Sequence, residues 1–239
     1  MDASTSRDVP GSAVYAVAMV TDRDLVTVPL RSDAARNRAA ILVASRSLFG
    51  ERGLDAPLDQ IARMAGVGNA TLYRHFPTRC ALVAAVFAET LGDVVAAARE
   101  ALAQPDPWVG FTSYVTFLCR LQATDRGLAD LLTTTITGAA DLEELRARAY
   151  VDFGCIVKRA KKSGGLRSDF QPEDLVLILM ANAGLIHRTA ATVPDAWSRL
   201  LRCTLAGLRA QSDTTLGPAV GEASVRRAMA DQARLFGVH

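Results

Sequence analysis

The sequence predicts an all-α fold, with a small three-helix unit near the N-terminus leading into a longer helical domain. Three observations carry this expectation. Apolar residues recur at three- and four-residue steps over most of the chain, and no convincing run alternates with period two. Clusters of glycine and proline mark the ends of the periodic segments. Capping residues stand where several of those segments open.

From Asp33 onward, Ile41, Ala44, Ser45, Leu48 and Phe49 share one face of a first helix. Ser32 or Asp33 is placed to cap it, and Gly53 lies just past its end, where a left-handed residue is expected. Pro57 opens a second helix at its first position, where a missing N–H costs nothing. Leu58, Ile61, Ala62 and Ala65 form its stripe. Gly66-Val67-Gly68 makes a turn, and a short third helix covers about 69–75, with Leu72 and Phe76 turned back onto the first two helices. Pro77 then punctuates, and Thr78 caps a long fourth helix over about 79–103. After the break at Gln104-Pro105-Asp106-Pro107, further helices fall at about 108–123, 126–136, 140–162, 172–191 and 195–210. A last amphipathic helix fits 223–236. The domain reading is a flexible tail at 1–30, a helix-turn-helix unit at 31–78, a helical body at 79–211 and a polar tail at 212–239.

With 239 residues, half of them hydrophobic, the chain can bury a sizeable core. Its net charge is only +2, but the distribution is uneven. Between Arg31 and Cys80 eight arginines face four acids, a surplus of four, which leaves the rest of the chain at −2. The cysteines Cys80, Cys119, Cys155 and Cys203 have no spacing suited to a zinc site, a redox pair or a disulfide framework, so no metal or cofactor is expected from them. The early apolar run Ala13–Val20 is too short to span a bilayer, and Asp2 and Asp8 sit where a secretion signal wants positive charge. The expectation is a cytoplasmic protein without a membrane role. Only His75, His187 and His239 are present, and no H-E-x-x-H, CxxC or phosphate loop appears, so nothing in the sequence supports an enzyme.

Two short helices joined by a glycine turn form a helix-turn-helix, in which the second helix offers its outer face to the major groove of DNA. The outward set here is Asn69, Ala70, Thr71, Tyr73, Arg74 and His75, mostly side chains that hydrogen-bond phosphate oxygens and base edges. Tyr73 stands one step off the Leu72/Phe76 stripe, and the small Ala70 permits a close approach. The chain resembles the TetR family of bacterial transcriptional regulators. The resemblance rests on Ala39-Ala40-Ile41-Leu42, Leu48-Phe49-Gly50-Glu51-Arg52-Gly53, Ile61-Ala62-Arg63-Met64-Ala65-Gly66-Val67 and Ala70-Thr71-Leu72-Tyr73-Arg74-His75-Phe76-Pro77-Thr78-Arg79, followed by Ala81-Leu82. It implies an N-terminal three-helix helix-turn-helix domain and a C-terminal helical ligand-binding and dimerisation domain. By the same resemblance Thr71, Tyr73 and His75 hold phosphates or bases, Arg79 grips the backbone at the start of the fourth helix, and Arg31 and Arg36 add contacts. Gly68 and Asn69 depart from the family's usual residues, which bears on the operator sequence.

In the longer domain Trp108, Phe111, Tyr114 and Leu118 repeat at helical steps, and Thr133, Thr134, Thr135 and Thr137 crowd the sixth helix. With Asn182 and His187 they are candidates to line an effector cavity, against the plainer readings of core aromatics, hydroxyls bonded to their own helix, and a satisfied histidine. Leu175-Val176-Leu177-Ile178-Leu179-Met180 is apolar on every side and asks for cover all round. A second copy is the expected cover, with Leu175, Ile178, Leu179, Leu201, Leu205 and Leu208 at the interface. A homodimer places its two recognition helices roughly 34 Å apart and reads double-stranded DNA as an inverted repeat. The resemblance adds a small-molecule effector of unknown identity that releases the DNA. The basic run Lys158-Arg159-Ala160-Lys161-Lys162 closes a helix whose dipole favours cations there, and is read as structural.

Overall fold

The computed structural model describes residues 27–136, 138–211 and 214–235, with side chains from Asp33 to Arg234. Among the described residues there are ten helices and no strand. In order they are α1 (Thr27–Arg52), α2 (Leu58–Met64), α3 (Asn69–His75), α4 (Arg79–Ala103), α5 (Pro107–Thr124), α6 (Arg126–Thr133), α7 (Ala140–Lys162), α8 (Asp174–Thr189), α9 (Ala196–Gly207) and α10 (Glu222–Leu235). The chain falls into two compact units, residues 1–36 and 37–239. In the first, the opening turns of α1 carry an Arg36–Asp33 ion pair. The second holds the rest.

Most boundaries have a visible cause. α1 ends where Gly53 turns to φ +92° and its N–H donates to the Phe49 carbonyl. Thr78 caps α4 by accepting from the Ala81 N–H at 3.1 Å. Asp106 caps α5, accepting from Trp108 and Val109 with Pro107 in the first turn. Asp125 caps α6, accepting from the Leu128 N–H at 2.9 Å. Several expected boundaries shift, and α9 ends at Gly207 rather than about 210. α1 begins at Thr27 rather than Asp33. Pro57 is the residue before α2, not its first member. α6 stops at Thr133, because Thr134 adopts an extended backbone (φ −123°, ψ 143°) and ends the helix three residues early. The threonine crowd thus lies mostly after the helix, where Thr135 donates its N–H to the Met229 carbonyl of α10. Residues 1–26, part of the expected tail, lie outside the described residues, as does Thr137.

One hydrophobic core runs from Ile41, Phe49, Ile61 and Leu72 through the length of α4 to α5, α7 and α8. α4 is its axis and packs most extensively on α7 and α5. It is also the one described helix long and apolar enough to cross a bilayer. Its apolar side chains Leu82, Val83, Phe87, Leu91 and Val94 are spent on that core. Trp108, Phe111, Tyr114, Phe153 and Phe170 interlock as an aromatic cluster, with ring centroids 5.4–6.5 Å apart. The basic end of α7 is tied down, since Arg159 donates to the Leu102 and Gln104 carbonyls at the end of α4.

Candidate nucleic-acid interface

The turn between α2 and α3 closes by a double hydrogen bond. The Val67 N–H donates to the Ala62 carbonyl at 3.0 Å, and the Gly66 N–H to the Arg63 carbonyl at 3.1 Å. This pattern needs a left-handed residue at Gly66, whose φ is +68°. The turn then delivers α3 with Gly68 as its cap residue in extended backbone and no side chain to serve the free N–H groups. Leu72 and Phe76 are buried against α1 and α2, as their spacing predicts.

What α3 leaves outside is Asn69, Ala70, Tyr73 and Arg74, all exposed, with Tyr73 half open to solvent. Thr71 is partly covered. His75 is the least outward of the set: its Nε2 is shut off from solvent with no hydrogen-bond partner, and its ring lies 6.5 Å from that of Phe76. Around α3 the exposed cations of residues 37–79 are Arg38, Arg52, Arg63 and Arg74. Arg38 lies over the Phe76 ring at 5.3 Å, and Arg52 donates to the Gln60 side chain at 2.6 Å. The first turn of α4 carries no acid, which leaves that helix N-terminus open to an anion.

Arg79 has a structural task that its sequence position does not show. Its guanidinium donates to the Leu54 and Ala56 carbonyls, each at 2.7 Å, and burial lowers its pKa. It therefore pins the loop between α1 and α2 onto the start of α4. Arg36 is exposed beside Asp33, and the Arg31 side chain lies outside the described residues.

The helices carrying α3 are fastened to the rest by α6. The Arg46 guanidinium pairs with Asp125 at 3.1 Å and lies over the Phe87 ring at 4.8 Å. The Leu54 N–H donates to Asp130 Oδ2 at 2.9 Å. Burial pushes the Asp130 carboxyl up to about 6, against the opposing pull of the Leu54 N–H and Arg126. Gly127 permits the contact, since a Cβ there would meet Phe87 Cζ at 2.9 Å and the Phe49 carbonyl at 3.0 Å. Sequence reasoning missed Arg46, Asp125 and Asp130, because each meaning depends on a partner about 75–80 residues away in the chain; the Asp125 capping position was the one local clue.

The effector candidates separate. Trp108, Phe111, Tyr114 and Leu118 are at most 9% exposed and packed, and with Thr134 they line neither of two cavities found in the helical domain. Asn182 lines a cavity of about 230 Å³ between α5, α8 and α9. His187 lines another of about 590 Å³, with Glu51, Asp125, Asp130 and, from α10, Gln232 on its walls. The interface candidates divide by how far their own chain covers them. Leu175, Leu179, Leu201 and Leu208 are at most 7% exposed, so their own chain already covers them. Ile178 and Leu205 are partly covered, and the open apolar side chains on α8 and α9 are Leu177 and Leu200.

A helix-turn-helix head with an outward polar α3, fastened to a larger helical body, defines a DNA-binding regulator rather than an enzyme. Comparison with known proteins agrees. Residues 41–86 match the profile described as bacterial regulatory proteins, tetR family, and residues 106–210 that of the transcriptional regulator SbtR-like C-terminal domain. The chain is 30% identical to the TetR transcriptional regulator SCO0520 from Streptomyces coelicolor, over 73% of this chain and 99% of that one, with a TM-score of 0.47. It is 27% identical to the HTH-type transcriptional repressor BepR of Brucella suis biovar 1 (strain 1330), over 64% of this chain and 80% of that protein. A shorter match, 36% identical over 27% of this chain and 30% of the other, is to the HTH-type transcriptional activator FasR of Mycolicibacterium smegmatis (strain ATCC 700084 / mc(2)155). The chain belongs to the TetR family, and is a DNA-binding, ligand-responsive transcriptional regulator.

Proposed function

We propose that the protein is a repressor that binds an inverted-repeat operator as a homodimer and is released by a small-molecule effector. The observation that carries this reading is the division of α3. Leu72 and Phe76 hold it in the core, while Asn69, Ala70, Tyr73 and Arg74 stand clear on its other face. In this reading residues 31–78 form the DNA-binding head and residues 79–211 the effector and dimerisation body. Tyr73, Arg74, Thr71 and the start of α4 take phosphates, and Asn69 and Ala70 approach base edges. The sign of regulation follows the longer match, which is to a protein named as a repressor.

The exposed Leu177 and Leu200 support a two-fold contact through α8 and α9, since one copy leaves that apolar side uncovered. An effector releases the DNA only if it binds the state with mis-spaced heads better than the DNA-binding state, because equal affinity shifts nothing. The test is fluorescence anisotropy on duplex DNA across a salt titration. Arg74→Ala is expected to weaken binding about tenfold and to flatten the salt slope by about one. An unchanged slope in Arg74→Ala and in Tyr73→Phe would remove α3 from the interface.

A further inference from the structure

The arginines of the head are not equivalent. Among residues 37–79, Arg63 is paired with Asp59 at 2.9 Å, and Arg52 donates to the Gln60 side chain at 2.6 Å. Arg46 is held by Asp125, and Arg79 is turned inward onto the Leu54 and Ala56 carbonyls. Two exposed guanidinium groups remain with neither a hydrogen bond nor an acid among the described residues: Arg74, on α3 itself, and Arg38, on α1.

Arg38 is nevertheless held. Its Cζ lies 5.3 Å from the centroid of the Phe76 ring. Phe76 is only 3% exposed and follows directly on α3, three residues before Arg79 opens α4. A cation over the face of a ring is attracted by the ring's quadrupole. That attraction uses up no N–H, so all five donors of the guanidinium stay free. Its charge is not neutralised nearby either, since α3 and the first turn of α4 carry no acid.

An exposed cation that is fixed by a buried ring and lacks an acid partner suits an anion from outside. On duplex DNA that anion is the backbone phosphate, which a guanidinium takes with two parallel N–H bonds. We infer that Arg38 is a DNA-contact residue, taking one backbone phosphate beside the C-terminal end of α3 while Phe76 holds its guanidinium in place. This rests on the reading above that the outer face of α3 meets DNA. Arg38 lies outside residues 41–86, the span that matches the family profile, so the motif does not mark it. A contact to phosphate sets position and strength and carries no sequence preference of its own.

The test is fluorescence anisotropy of the full chain on two duplexes of unrelated sequence, each across a salt titration. Arg38→Ala is expected to weaken binding to both by about tenfold and to flatten the slope of log affinity against log salt by about one. Its melting temperature is expected to change little, because the side chain is exposed. Arg38→Lys keeps the charge but not the planar stack, and is expected to keep the slope while recovering only part of the affinity. Arg63→Ala removes a charge already paired with Asp59, and is expected to leave the slope nearly unchanged. An unchanged slope in Arg38→Ala, equal flattening by Arg63→Ala, or a loss confined to one of the two duplexes would each overturn the inference. So would a lower melting temperature with the slope retained, which would make Arg38 a structural residue only. If the unmodified chain binds neither duplex, the reading of α3 fails and the inference with it; if it binds and Arg38→Ala binds equally well, the inference alone fails.

Discussion

The Leu54 backbone N–H donates to Asp130 Oδ2 at 2.9 Å, across 76 residues of sequence. Leu54 follows α1 at the root of the head, and Asp130 lies on α6 in the body. The same loop receives two hydrogen bonds from Arg79, and three residues back from Asp130 a Gly127 Cβ would collide with the Phe49 carbonyl. α6 is therefore tied to the end of α1 and to the loop that leads into α2 by short, directed contacts.

The Asp130 carboxyl titrates near 6 because burial penalises its charge. Its folded-state pKa lies above the ordinary 3.8, so its contribution to stability is present below pH about 4 and is lost as pH rises through about 6. Asp130→Asn keeps an oxygen to accept from Leu54 and removes the titration. The variant is expected to gain stability relative to the native chain as pH goes from 4 to 7, by on the order of 1–3 kcal/mol. Denaturant melts at both pH values check this; a constant difference would contradict it.

Arg46 and Asp125 form the other fastening, with Asp125 only 9% exposed. Arg46→Ala strands that carboxylate and removes the cation over Phe87. The expected loss is about 1–3 kcal/mol of stability, read from urea midpoints. Arg46→Lys, which keeps the charge but not the planar stack, should recover part of it.

Gly127 supplies a test of coupling. In Gly127→Val the new side chain must push against Phe49 and Phe87, at an expected cost of about 1–3 kcal/mol. If α6 positions the head, DNA affinity falls beyond what the lost stability explains, at temperatures where the variant is fully folded. Affinity equal to that of the native chain would show that the head keeps its orientation without α6.

The α8–α9 face predicts association. Leu177→Glu with Leu200→Glu places charge on the exposed apolar side while leaving the buried Leu175 and Leu201 untouched. Sedimentation is expected to show a shift from dimer to monomer, with about tenfold or greater loss of operator affinity, because each head then binds alone. A native chain that is monomeric at micromolar concentration would contradict the interface.

The head was largely legible in the sequence because its signals are local. Gly53, Gly66 and Thr78 act within a few residues of themselves, and α3, α4 and α7 fall where the punctuation puts them. The body was legible in its helices but not in its cavities. The Trp108–Phe111–Tyr114 repeat looks the same in sequence whether it lines a space or fills one, and the partners Phe153 and Phe170 that fill it come from other elements. The all-apolar run of α8 signalled cover on every side, but which leucines its own chain covers depends on how α5 and α9 pack.

The most direct measurement is selection of bound duplexes from a random DNA pool by the full chain, with Tyr73→Phe/Arg74→Ala run alongside. The account predicts enrichment of an inverted repeat with half-sites about one helical turn apart, and loss of that enrichment in the double variant. No enriched sequence, or the same repeat recovered by the double variant, would contradict it.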